Sequence, residues 1–152
     1  VPVADLVATR AVGIAAPPAA VWPWLVQLGQ GRGGFYTYDR LENLVACCDI
    51  HSADAIVAEW QGTAVGDEVR LHPEVALRVA LVEPERALVL EGGVPMGDAA
   101  PPYDFSWAFV LQPAPDGSTR LVVRERYGYT QPWSWAILPI SRMGFRTPVP
   151  VS

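Results

Sequence analysis

Tyr103-Asp104-Phe105-Ser106-Trp107-Ala108-Phe109-Val110-Leu111 is followed, after Pro115-Asp116-Gly117, by Thr119-Arg120-Leu121-Val122-Val123-Arg124-Glu125-Arg126-Tyr127-Gly128-Tyr129. Both runs alternate with a period of two and are rich in aromatic and β-branched residues. The Pro-Asp-Gly between them is turn chemistry, so the stretch predicts a long antiparallel hairpin. Strand parity then places Tyr103, Phe105, Trp107, Phe109 and Leu111 on one face, with Asp104, Ser106, Ala108 and Val110 on the other. In the second run Leu121, Val123, Glu125, Tyr127 and Tyr129 oppose Arg120, Val122, Arg124 and Arg126.

Working outward, two more strands are predicted upstream, over residues 76–82 and 87–91, joined by Glu83-Pro84-Glu85-Arg86. Residues 68–72 alternate after a Gly66-Asp67 turn and read as another strand. The stretch from Ser52 to that turn reads as a loop. Near the start, residues 7–14 read as a first strand. Pro17 and Pro18 then open a helix whose apolar stripe is Val21, Trp24, Leu25 and Leu28. Pro23 falls inside that pattern, which predicts a late start or a bend, and the glycines at 29 and 31 predict its end. A second helix is predicted where Asp39 and Glu42 form a capping-box pattern ahead of Leu41, Leu44, Val45 and Cys48. One strand, two helices and a run of antiparallel strands make an α+β domain with its helices segregated against a sheet.

The composition narrows the function classes. A chain of 152 residues that is 51% hydrophobic and 18% charged has the material for one sizeable core, so a single domain over residues 1–152 is expected. A net charge of −5 and a pI near 4.9 argue against nucleic acid and against anionic lipid surfaces as partners. With no span-length apolar run and no signal-peptide pattern after Val1, a cytoplasmic location is expected, although a start at Val rather than Met leaves an upstream segment open. Cys47 and Cys48 are adjacent, a poor geometry for a disulfide, and read as reduced apolar residues. Neither they nor the histidines show zinc-type spacing, so no metal and no cofactor are expected.

Further signals lie in Val21-Trp22-Pro23-Trp24-Leu25-Val26-Gln27, Gly33-Gly34-Phe35-Tyr36-Thr37-Tyr38-Asp39 and Leu41-Glu42-Asn43. To these are added Ile50-His51-Ser52-Ala53-Asp54, Glu59-Trp60-Gln61, Gly66-Asp67 and the Phe105-Ser106-Trp107-Ala108-Phe109 strand. On these residues the chain resembles a bacterial branch of the SRPBCC superfamily, the START-like, polyketide-cyclase-like and Bet v 1-like group, over residues 8–130. The resemblance implies the helix-grip fold, a curved antiparallel sheet around a cavity for a small hydrophobic, polyketide-like or lipid-like molecule. Residues 131–152 depart from that pattern. Pro132, Pro139, Pro148 and Pro150 forbid one long C-terminal helix. A shortened or kinked helix over residues 133–143 is expected instead, with the open sheet face a surface that a second copy in a homodimer would cover.

The aromatic face of the hairpin serves equally as ordinary core or as cavity wall, and the resemblance favours the wall. Expected ligand contacts are Tyr36, Tyr38, Trp60, Phe105, Trp107, Phe109 and Tyr127. If the odd face of the last strand points inward, Glu125 and Tyr127 are buried polar groups that need partners. If the even face does, Arg124 becomes a donor to an anion or enolate. The odd face is preferred. His51 with Asp54 and Glu59 forms either an acid–base cluster or a structural loop, so the acid–base candidates of an alternative cyclase or dehydratase-like enzyme are His51, Asp54, Glu125 and Arg124. The glycine-rich Gly29–Gly34 stretch follows a helix instead of a strand, and reads as a flexible connector at the cavity end with Arg32 beside it, not as a phosphate loop.

Overall fold

A computed structural model describes residues 3–35, 52–93 and 100–133. The expected second helix over residues 39–48, with Tyr36, Tyr38 and His51, lies outside them, as does the expected C-terminal helix beyond Trp133.

The chain enters through β1 (Leu6–Ile14) and α1 (Pro18–Val26), passes a short 3-10 turn (Ala58–Trp60), and continues through β2 (Glu68–His72), β3 (Val75–Glu83), β4 (Ala87–Gly92), β5 (Tyr103–Pro113) and β6 (Thr119–Tyr129). The strands form one six-stranded antiparallel sheet in the order β1-β6-β5-β4-β3-β2. Consecutive strands pair as hairpins from β2 to β6, and β1 closes the far edge against β6, with Leu6 opposite Tyr127 and Ile14 opposite Thr119. Every strand expected from the alternation is present.

The central hairpin forms as its turn residues dictate. Gly117 takes φ +82°, and Asp116 Oδ1 accepts hydrogen bonds from the Ser118 amide at 3.0 Å and hydroxyl at 2.6 Å. Those two bonds hold the Asp116 carboxyl below the usual carboxylate range. The register that follows sets Phe105 opposite Tyr127, Trp107 opposite Glu125 and Phe109 opposite Val123. Directly opposed residues share a face, so the odd positions of both strands form one surface. Register shifts between Val79 and Leu81 in β3, and between Arg70 and His72 in β2, increase the local twist and curve the sheet toward that surface.

The core occupies the same concave side. Val69, Leu77, Val79, Leu88 and Leu90 are almost fully excluded from water, and Val21, Leu25 and Leu28 from the α1 region pack with them. Burial of each such side chain stabilises the fold by about 1.5–3 kcal/mol before entropy is counted. α1 begins at Pro18, where a missing donor costs nothing, and continues through Pro23 instead of starting after it. In a helix of nine residues Pro23 removes one internal bond, and the burial of Val21, Leu25 and Val26 offsets that loss.

The glycine-rich segment after α1 is ordered, which corrects its reading as a flexible connector. Gly29 and Gly34 exchange both backbone hydrogen bonds at 3.0 Å, and the Gln30 amide donates to the Arg70 carbonyl at 2.7 Å, tying the loop to β2. Gly29 has φ +128°, and a Cβ there would meet Val69 Cγ1 at 3.2 Å. Gly29→Ala is therefore expected to cost about 1–3 kcal/mol, combining left-handed backbone strain with pressure on a fully buried valine. Chemical denaturation checks this, and a midpoint equal to that of the wild type would contradict it.

Candidate functional site

The two ends of β5 have different environments. At the Leu111–Pro113 end, Pro17, Pro18 and Ala19 of the α1 start share a groove with the strand, and Phe109 and Leu111 are core residues at 5% and 2% exposure. At the opposite end the concave face is hollow. Leu71, Tyr103, Phe105, Trp107, Glu125 and Tyr127 line a pocket of about 190 Å³. The aromatic rings there brace one another. Phe105 and Tyr127 have centroids 4.8 Å apart, Tyr103 meets Tyr127 edge-on at 5.6 Å, and Phe35 stacks on Trp107 at 6.2 Å with the planes inclined by 23°.

Polar groups are few. The Tyr127 hydroxyl donates to Glu125 Oε2 at 3.3 Å, and Arg10 Nη1 from β1 donates to Glu125 Oε1 at 3.4 Å. The Glu125 side chain is 21% exposed and that of Arg10 is 48% exposed, so the pair bridges the pocket wall and its rim. The indole Nε1 of Trp107 is buried and has no hydrogen-bond partner among the described residues. Burial, reinforced by the neighbouring negative charge of Glu125, pushes the Tyr127 phenol well above its usual value.

Such a shift makes folding depend on alkaline pH. The folded phenol keeps its proton where an unfolded tyrosine, with a pKa of about 10, releases it. The stability it contributes is present below pH of about 10 and is lost as pH rises through the folded value. Unfolding free energy measured above that pH should fall more steeply in the wild type than in Tyr127→Phe. Parallel slopes would contradict the assignment.

A larger groove of about 680 Å³ lies at the Gly92-Gly93 end of β4, where Arg78, Glu91 and Asp104 give it a charged lining.

No family model and no curated protein matches the sequence. Solved structures do. A protein of Nitrosospira multiformis is 13% identical over 90% of this chain and 89% of its own, with a TM-score of 0.54. The Mll3558 protein of Rhizobium loti is 13% identical, covering 91% and 89% of the two chains, with a TM-score of 0.50. DynU16, from the dynemicin biosynthetic locus, is 16% identical over 93% of this chain at a TM-score of 0.50, and there the match spans only 44% of the longer protein. At these identities the likeness is one of fold.

Within this fold the sequence candidates separate clearly. Phe105, Trp107, Tyr127 and Glu125 come together at the pocket. Phe109 points to the same face but belongs to the core under α1, so its aromatic ring is packing. Arg124 lies on the outer face, opposite Ala108, and its Nε donates to Thr9 Oγ1 at 3.1 Å, because strand parity turns it away from Glu125. Asp54 is exposed in the loop after Ala53, and Trp60 belongs to the 3-10 turn, where its carbonyl accepts from Arg32 Nη2 at 2.6 Å. Neither lines the pocket. Arg32 ties this loop to the end of α1, since the same nitrogen also reaches Val26 O at 3.3 Å and Thr63 Oγ1 at 3.0 Å. Its burial lowers its pKa, as expected of a guanidinium taken from water.

Four contributors were not among the candidates, Leu71 of β2 and the three that follow. Tyr103 carried the parity signal and was assigned only to the aromatic face. Phe35 adjoins the expected Tyr36, and its contact with Trp107 joins residues far apart in the sequence. Arg10 gave no signal, because β1 is an edge strand exposed along most of its length and its sequence does not alternate cleanly.

Proposed function

We propose that the chain is a single ligand-binding domain, acting in the cytoplasm, whose pocket between β5 and β6 takes a small and mainly apolar molecule. The observation that carries this reading is the aromatic wall of Tyr103, Phe105, Trp107 and Tyr127, which surrounds open volume around one carboxylate in place of packed side chains. Apolar surfaces with a few convergent polar groups are the usual make-up of small-molecule sites. A volume of about 190 Å³ is below the range of about 300–1,000 Å³ typical of drug-sized ligands, so it suits one or two fused rings more than a long lipid chain.

Ligand that binds the folded state alone raises thermal stability by mass action, by about 2.7 kcal/mol at a hundredfold excess over Kd. Melting curves with a series of one- and two-ring compounds test the reading. An upward shift in the wild type that Trp107→Ala loses supports it, and a series that never moves the melting point overturns it.

The hydrogen bond from Tyr127 to Glu125 favours a second reading, a cyclase- or dehydratase-like enzyme. There Glu125 would accept a proton from the bound substrate and Tyr127 would donate to the oxygen on which charge develops. Turnover unchanged in Glu125→Gln would remove this reading. The homodimer expected from the sequence is a separate proposal, and sedimentation showing monomer across micromolar concentrations would remove it.

A further inference from the structure

The pocket on β5 and β6 joins four aromatic residues, Tyr103, Phe105, Trp107 and Tyr127, to one carboxylate in about 190 Å³. Its rings are inclined by 42° for Phe105 and Tyr127, 44° for Phe105 and Trp107 and 62° for Tyr103 and Tyr127, so the wall curves instead of forming one flat stack. Aromatic faces are electronegative and attract a cation within about 6 Å of the ring centre, a reach that takes in much of so small a hollow. Glu125 adds a full negative charge on a side chain that is 21% exposed, and its counter-ion Arg10 stands further out at 48%. Water screens the exposed guanidinium more than the enclosed carboxylate. The Tyr127 phenol reports the balance. Burial raises it most, Glu125 raises it next, and the opposing influence of Arg10 is the smallest of those acting on it.

The same groups decide which kind of cation fits. Each Glu125 oxygen already accepts a hydrogen bond, Oε1 from Arg10 and Oε2 from Tyr127. A primary ammonium brings three N–H donors that lose water on entry and meet a wall made mostly of carbon. A quaternary ammonium has no donor to satisfy, and its methyl groups present apolar surface to the rings. We propose that this pocket selects a small methylated ammonium ion, held by the aromatic wall of β5 and β6 and by the charge of Glu125. The inference rests on the ligand-binding reading above and adds the charge and head group of the ligand. The volume has room for the head group and a short tail, so the ligand is a free cation and not a lipid that carries one.

Four probes, each differing from choline by one property, test this by calorimetric titration. Choline should bind about three- to thirtyfold more tightly than 3,3-dimethyl-1-butanol, which has its shape without the charge. Ethanolamine, with the charge but no methyl groups, should bind about tenfold or more weakly than choline. Phosphocholine, which adds the anionic group of a choline lipid, should also be weaker by about tenfold, from repulsion by Glu125. Glu125→Gln keeps the shape and should shrink the advantage of choline over the alcohol, whereas a merely structural role would weaken both alike. An alcohol or an ethanolamine that binds as well as choline overturns the methylated cation as the ligand class. Phosphocholine that binds as well as choline overturns the free cation in favour of a phosphoester or lipid source. If none of the four binds while two-ring compounds still raise the melting point, the cation falls and the binding reading stands; if those fail too, both fall. The wild-type series alone decides these outcomes, so they do not depend on the variant folding.

Discussion

Leu90→Ala lowers the free energy of unfolding by about 2–5 kcal/mol, a large share of the roughly 5–15 kcal/mol that holds a domain together. Leu90 is fully buried on β4 and lies opposite Trp107 in the register, so the deletion empties space beneath the aromatic wall. The loss has two parts, the transfer energy of the missing carbons and the cavity they leave. The size of the second depends on how far Trp107 and Phe105 can settle into it. Urea denaturation reads the effect directly. A loss under about 1 kcal/mol would mean that the concave face repacks freely, which is incompatible with a preformed pocket.

Gln27→Leu is expected to cost about 2–4 kcal/mol, although it exchanges one side chain of moderate size for another. Gln27 is completely buried after the end of α1. Its Oε1 accepts from the Val57 amide at 3.2 Å and from Gln61 Nε2 at 3.3 Å, and its Nε2 donates to the Ala55 carbonyl at 3.2 Å. Leucine fills the space but leaves the Val57 N–H and the Ala55 C=O without these partners, which is the expensive way to lose a hydrogen bond. This amide holds the Ala55–Val57 part of the segment directly, so amide exchange at Val57 should accelerate more than exchange in the sheet. Uniform acceleration across the molecule would point to global destabilisation alone.

The parts of the fold legible in the sequence are those where one local rule governs. β5 and β6 alternate because one face packs inward along their whole length, and the Asp116-Gly117 turn fixes their register, so the shared face of Trp107 and Glu125 follows from parity. β2, β3 and β4 were legible for the same reason. Parity could not tell which half of that face is core and which is pocket, since Phe109 and Phe105 look alike until α1 is placed over one end. The Gln27 and Arg32 networks were illegible because they join residues about 30 positions apart through backbone carbonyls, which leave no mark on sequence pattern. Asp54 and Trp60 were grouped with the site on the strength of their residue types. The loop that carries them packs against Gln27 and Arg32, away from the hollow.

The most direct test of the central claim is the indole N–H resonance of Trp107, assigned by its loss in Trp107→Phe, followed while 2-acetylnaphthalene is added. The account predicts a saturable shift of that signal, accompanied by backbone shifts at Phe105, Glu125 and Tyr127. Shifts confined to the groove around Arg78, Gly93 and Pro101, or no shift at saturating ligand, would contradict a binding site on the aromatic face of β5 and β6.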